Sequence, residues 1–345
     1  MINFFHDFYR LPFAAIVFSI SGGTFWPYFG GGAILVIGMA MAWNGEVRKA
    51  HGLDKLILFG PLLFAIPMAI FGADHLTAAR SVAGVVPSWI PGHLFWAYFV
   101  GVCLIAAAFS LATKIESRFA AALLGIMIFL FVLLIHVPSC FATPYDKTRL
   151  TIVLRDLALS GGALAFAASS SEQRRWGGSP GWPPRSHLQN LSSKLIVAAR
   201  FLIAISIGVF GIDHYLYPTF APGIPQEGAV FVTMPTWIPG HMFWAYATGL
   251  IFVVCAVGLM TRKHARSAAT VLGLVVLVLA LFVYLPLTVA KASDIASGLN
   301  YLAIHLALAG AVLLLAGSSP AADGAYADVA EVEGSSLRGV ADSSA

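Results

Sequence analysis

The chain has 345 residues, 59% of them apolar and 10% Asp, Glu, Lys or Arg, with a mean hydropathy of +0.85. Soluble domains carry about 25% charged residues, so a water-soluble fold is excluded, and so is disorder over most of the length. Twenty basic against sixteen acidic residues, thinly scattered, make no basic stripe, which excludes nucleic acid as a partner. Three cysteines (Cys103, Cys140, Cys255) without a CxxC pair provide neither a disulfide framework nor a zinc site. The remaining class is an all-α, multi-pass membrane protein whose partner is the lipid bilayer.

A helix crossing a hydrocarbon layer of about 30 Å needs about 20 apolar residues. Taken in chain order, such stretches lie near 25–43, 55–74, 93–113, 118–137, 149–168, 194–213, 241–261, 267–286 and 296–316, about nine spans. Residues 11–43 form one apolar run broken by Gly22-Gly23 and Gly30-Gly31-Gly32, readable as a kinked span or as a span plus an interfacial segment. The run is too long for a signal peptide.

The domain plan follows. Residues 1–50 hold the N-terminal span and a cytoplasmic loop, 51–169 and 193–317 hold four spans each, and 170–192, rich in Ser, Gly, Pro and Arg, read as a cytoplasmic linker. The segment 318–345 is small, polar and acidic, and reads as a disordered tail. Arg48, Lys49, Lys55, Lys114, Arg118, Arg262, Lys263 and Arg266 fall in alternate loops, which predicts that those loops are cytoplasmic, with the N-terminus outside and the C-terminus inside.

The two groups of four spans share sequence. PSWIPGHLFWAY (87–98) and PTWIPGHMFWAY (235–246) agree at ten of twelve positions, FGADH (71–75) answers FGIDH (210–214), and LALSGGAL (157–164) answers LALAGAVL (306–313). The central motif and the Pro138/Pro286 pair share an offset of 148, whereas the DH pairs are 139 apart, so the second copy carries nine extra residues in its first outer loop. Four is an even number of crossings, so both copies enter the membrane in the same direction. The predicted architecture is two parallel-repeat four-helix bundles side by side, preceded by one N-terminal span.

Polar residues inside spans cost about 2.5–3.5 kcal/mol each when charged and central, so their positions carry information. In the first copy Asp74 and His75 end one helix, His93 opens the next, His136 closes the third, and Arg155 and Asp156 lie early in the fourth. The second copy has Asp213, His214, His241, Tyr284 and His305 in those places. All fall toward the outer face; only Arg200 lies in the cytoplasmic half. The pattern predicts one outer-leaflet pocket per copy, in which His75 meets His93 and His214 meets His241. Trp89 and Trp96, or Trp237 and Trp244, would wall it. Neutral imidazoles there could accept a proton, bind a metal or hydrogen-bond a carbonyl ligand. No spacing such as HExxH favours a metal or haem, so no metal is assigned. The plainer readings are an interfacial aromatic belt and structural ties between helix ends.

The combination of FGxDH ending one span, P-x-W-I-P-G-H-x-F-W opening the next, and L-A-L-x-G in the fourth resembles the DoxX-like membrane protein family. The resemblance covers about 71–164 and 210–313 and implies a four-helix bacterial or archaeal inner-membrane unit. Relatives include the membrane subunit of a thiosulfate:quinone oxidoreductase, and others serve thiol and oxidative-stress handling. It implies a quinone as the ligand class and a periplasmic or membrane oxidoreductase as the partner, so that the chain is at most an oxidoreductase membrane subunit. The family motif fixes no reaction, so no catalytic residue is carried over. The chain departs from the family in having two units and an additional span, and in having Arg155-Asp156 in one copy where the other has Ile304-His305. The competing functions are a small-solute transporter or binding protein and a non-catalytic scaffold.

Overall fold

The computed structural model describes residues 22–43, 46–144, 146–169, 185–225, 238–293 and 298–319, with side chains described from Asn190 onward in the fourth of these segments. Trp237, most of the expected linker and the expected tail lie outside the described residues. The described residues contain helices and no strand. Among them nine helices are long and apolar enough to cross a membrane. They are α1 (Gly23–Ala42), α2 (Asp54–Thr77), α3 (His93–Thr113), α4 (Ser117–Ala142) and α5 (Lys147–Ala168). Then follow α6 (Asn190–Leu216), α7 (His241–Met260), α8 (Ala265–Ala290) and α9 (Leu299–Ser318). The helix that becomes α6 starts at Arg185, inside the stretch read as linker.

Local chemistry explains where these helices begin and end. Asp146 caps α5, its carboxylate accepting the Thr148 N–H at 3.0 Å. The chain enters α3 and α7 through Gly92 (φ 75°) and Gly240 (φ 71°), left-handed positions that glycine adopts without a Cβ penalty. Helix C-termini expose four carbonyls that favour a cation. Arg266, at the start of α8, donates to the carbonyls of Ala316 and Ser319 at the end of α9, and Arg118, at the start of α4, donates to the Ser169 carbonyl after α5.

In sequence order α2, α3, α4 and α5 each touch the next, and α6 to α9 repeat this. The fourth helix of each set packs mainly elsewhere than on its own first helix. α5 lies along α6, α9 lies along α2, and α5 and α9 meet at the centre. The two sets are therefore interlocked, whereas independent bundles would each close on themselves. Small residues at the crossings are the physical cause, because they let backbones approach where lipid supplies no hydrophobic driving force. A Cβ at Gly310 would stand 2.5 Å from the Phe64 nitrogen, and one at Gly60 would stand 3.0 Å from Leu313 Cβ. At the centre, a Cβ at Gly162 would stand 2.5 Å from Ala311 Cα.

This places α9 innermost. The most apolar stretch of α9 is 89% buried, against 28% for that of α1, which leans on α2 and α3 at the edge. The outer surface carries exposed large side chains such as Phe119, Val254 and Phe282. An apolar exterior of this kind suits lipid as solvent. On the predicted orientation, an impermeant thiol reagent added outside intact cells should label a cysteine at Gly84 and leave one at Lys263 unlabelled; the reverse pattern would invert the topology.

Candidate functional site

The first polar cluster forms where α4 meets α5. The α-helical ladder of α4 widens into a π turn at Val132–His136, just before Pro138. Proline has no N–H to offer the carbonyl four residues back, and its ring crowds that turn, so the helix accommodates an extra residue. His136 Nε2 then lies 3.1 Å from Asp156 Oδ2 on α5. The other carboxylate oxygen, Oδ1, accepts the Arg155 Nε–H at 2.7 Å. Asp156 is buried, while the side chains of His136 and Arg155 are 19% and 23% exposed. The carboxylate is therefore the hidden anchor and the two bases are the accessible edge. Among the described residues Arg155 makes no other hydrogen bond, so its terminal N–H groups are not spent within the cluster.

The second copy uses the corresponding places differently. A π turn at Ala280–Tyr284 precedes Pro286 and presents Tyr284, whose hydroxyl donates to the Pro222 carbonyl at 3.0 Å. His305 and Tyr284 stack at 3.7 Å between ring centroids. His305 Nδ1 bonds the Tyr301 carbonyl at 2.8 Å, and its Nε2 accepts the Ile224 N–H at 3.0 Å. His214 repeats the device, with Nδ1 on the Phe210 carbonyl at 2.5 Å and Nε2 accepting the Gly223 N–H at 2.9 Å. An imidazole that donates from one nitrogen and accepts at the other is neutral. Residues 221–225 are all buried. Residues 221–225, the described end of the loop after α6, thus fold back as a plug, and His214, Tyr284 and His305 satisfy its backbone.

Asp74, His75, His93, His241 and the described tryptophans join neither cluster, whereas Asp213 borders the second. His75 Nδ1 bonds the Phe71 carbonyl at 2.7 Å, and its Cβ lies beside Gly101 on α3. Gly101 is eight residues beyond His93, about 12 Å of helix, so the expected meeting of His75 and His93 is not formed. His214 likewise lies beside Gly249, the same distance along α7 from His241. Asp74 is half-buried and hydrogen-bonds none of these histidines, and Asp213 lines a small crevice with His214, Tyr217 and Pro225. Trp89, Trp96 and Trp244 are exposed, and the last two donate their indole N–H to the carbonyls of Pro91 and Pro239, each at 3.1 Å. They decorate the outside of the helix ends and wall no pocket with these histidines.

Sequence reading missed the plug and the π turns. The signals were present: nine extra loop residues containing Pro-Gly-Ile-Pro, and a proline two residues after His136 and after Tyr284. Among the described residues no group of three or more His, Cys, Asp or Glu side chains could hold a metal ion. Comparison with known protein families, with curated proteins and with solved structures finds no match for this chain.

Proposed function

We propose that the chain is a duplicated DoxX-like protein of the inner membrane, in which the first copy binds the carbonyl headgroup of a membrane-soluble quinone and serves a redox system as an accessory subunit. The duplication is supported by paired local structure: the two π turns, the two left-handed glycines before His93 and His241, and the two Trp-to-proline-carbonyl bonds recur at one offset. The observation that carries the functional reading is the partly exposed His136–Asp156–Arg155 cluster inside membrane-spanning helices, set against its buried, self-satisfied counterpart in the second copy. Ionisable groups within spans mark ligand or proton sites unless they are spent on structure. In the second copy they are so spent; in the first, two bases keep an open side.

A bound quinone would supply two-electron, two-proton chemistry. The chain's own part is simpler. Asp156 holds both bases in place, Arg155 offers N–H donors to a carbonyl oxygen, and His136 holds or releases a proton at its ring. The second copy serves as the structural half.

The test is a titration of the protein in nanodiscs with short-chain ubiquinone and menaquinone analogues. Hydrogen bonds to charged groups contribute about 1.5–3 kcal/mol, so His136→Phe and Asp156→Asn should each weaken binding about tenfold or more, whereas His241→Ala should leave it unchanged. Equal affinity in wild type and both cluster variants would refute the site, and absence of binding in wild type would refute the ligand.

A further inference from the structure

We propose that the apolar groove between α6 and α7 is a seat for a further membrane helix, contributed by a partner polypeptide, which runs antiparallel to α6 and ends its C-terminal turn at Arg200. The groove is lined on α6 by Ile205, Gly208, Val209 and Ile212, and on α7 by residues including Val253 and Val257. At the offset of 139 that relates FGADH to FGIDH, those four α6 positions correspond to Ile66, Ala69, Ile70 and Ala73 of α2. In the first copy that face is already occupied, by α1. A Cβ at Gly30 would stand 3.4 Å from the Ala69 carbonyl oxygen, one at Gly31 would stand 2.7 Å from Ile70, and Gly38 abuts Leu62.

Burial records the difference between the two faces. Ile66 is 8% exposed under α1, whereas Ile205 in the groove is 50% exposed and Ile212 is 53% exposed. The two faces correspond in sequence, so the chain itself shows what kind of object fits: an apolar helix with small residues spaced as Gly30, Gly31 and Gly38 are. Close approach of this kind is how helices associate in lipid, where acyl chains are as apolar as leucine and only packing discriminates.

Arg200 supplies the second, independent observation. It replaces Pro61 of the first copy and lies one turn from Ala204, at the cytoplasmic end of the groove. It is 9% exposed, its Nε has no hydrogen-bond partner, and its Nη2 reaches only the Met260 carbonyl, at 3.4 Å. α1 sets its C-terminal half on Leu62, the counterpart of Phe201. A helix docked in the same sense would bring its last carbonyls and any terminal carboxylate to Arg200, where a cation is favoured.

The experiment uses the full chain in nanodiscs and, as probe, a synthetic peptide of residues 22–43 carrying one photoreactive leucine and a free C-terminal carboxylate. Cross-links mapped by mass spectrometry should fall on α6 and α7 around Gly208. Gly208→Ile should reduce them at least tenfold; a Cβ there meets only Ala256, at 3.6 Å, and an unchanged thermal midpoint shows that the variant keeps its fold. Amidating the peptide should weaken binding several-fold in wild type and not in Arg200→Gln. Cross-links no more frequent than with a scrambled peptide, or unchanged in Gly208→Ile, would overturn the proposal in favour of a lipid-covered groove. A dimer of the full chain in nanodiscs that Gly208→Ile dissociates would overturn it in favour of self-association.

Discussion

Asp156→Ala should lower the stability of the protein by about 3 kcal/mol, seen as a fall in thermal midpoint in nanodiscs and in folded yield. The carboxylate is buried and accepts from two bases, His136 at 3.1 Å and Arg155 at 2.7 Å. Removing one partner of a buried pair leaves an uncompensated charge, at a cost of about 3–5 kcal/mol. The lower end applies because the Arg155 side chain is 23% exposed and can turn toward a more polar environment. Asp156→Asn keeps an acceptor for Arg155 and should cost less. The double change Arg155→Leu, Asp156→Leu should cost less than Asp156→Ala alone, since replacing a whole buried pair by apolar groups is often neutral. A double variant as unstable as the sum of its singles would show that the two residues act independently and that the cluster is not one unit.

Gly223→Ala should dislodge the plug of the second copy. Gly223 has φ 130°, a conformation that side chains rarely adopt, and an added Cβ would collide with the His305 ring nitrogen and stand 2.8 Å from its Cδ2. Neither the stacked Tyr284–His305 pair nor the loop has room to yield, because Tyr284 and His305 are almost wholly buried. Displacement forfeits the bonds from Gly223 and Ile224 to the two histidines and from Tyr284 to Pro222. Each orphaned buried group costs about 1–3 kcal/mol, so the loss should total several kcal/mol unless water enters. The readout is protease cleavage within residues 217–225 from the outer side, absent in wild type and rapid in the variant. Gly84→Ala, in an exposed turn at ordinary φ, is the matched control. An intact, protected loop in Gly223→Ala would show that the two histidines do not hold it.

Much of this protein was legible in the chain itself. Twenty-residue apolar stretches have one stable outcome in lipid, a helix that satisfies its own backbone, so the nine spans found among the described residues followed from length and hydropathy alone. The ends of α3 and α7 followed from Pro-Gly-His, and the membership of the polar groups in two corresponding sets followed from the repeated motifs. Which of those groups meet did not follow. His75 and His93 flank one loop, yet the helices are packed so that His75 faces Gly101, two turns deeper than His93.

Tertiary structure decided three further matters. It sent α5 to α6 and α9 to α2, because glycines at 161, 60 and 310 allow backbones to touch there, and close packing together with hydrogen bonds such as that from Ser206 to the Leu154 carbonyl selects partners among equally apolar helices. It used Pro138 and Pro286 to insert π turns that aim His136 at Asp156 and Tyr284 at the plug. It also assigned opposite fates to matched positions, an open charged cluster in one copy and a filled neutral one in the other, since only the second copy has loop enough to reach back into its own core. Apolar patterning specifies each helix separately, whereas the depth, facing and pairing of polar side chains depend on contacts between helices far apart in the chain.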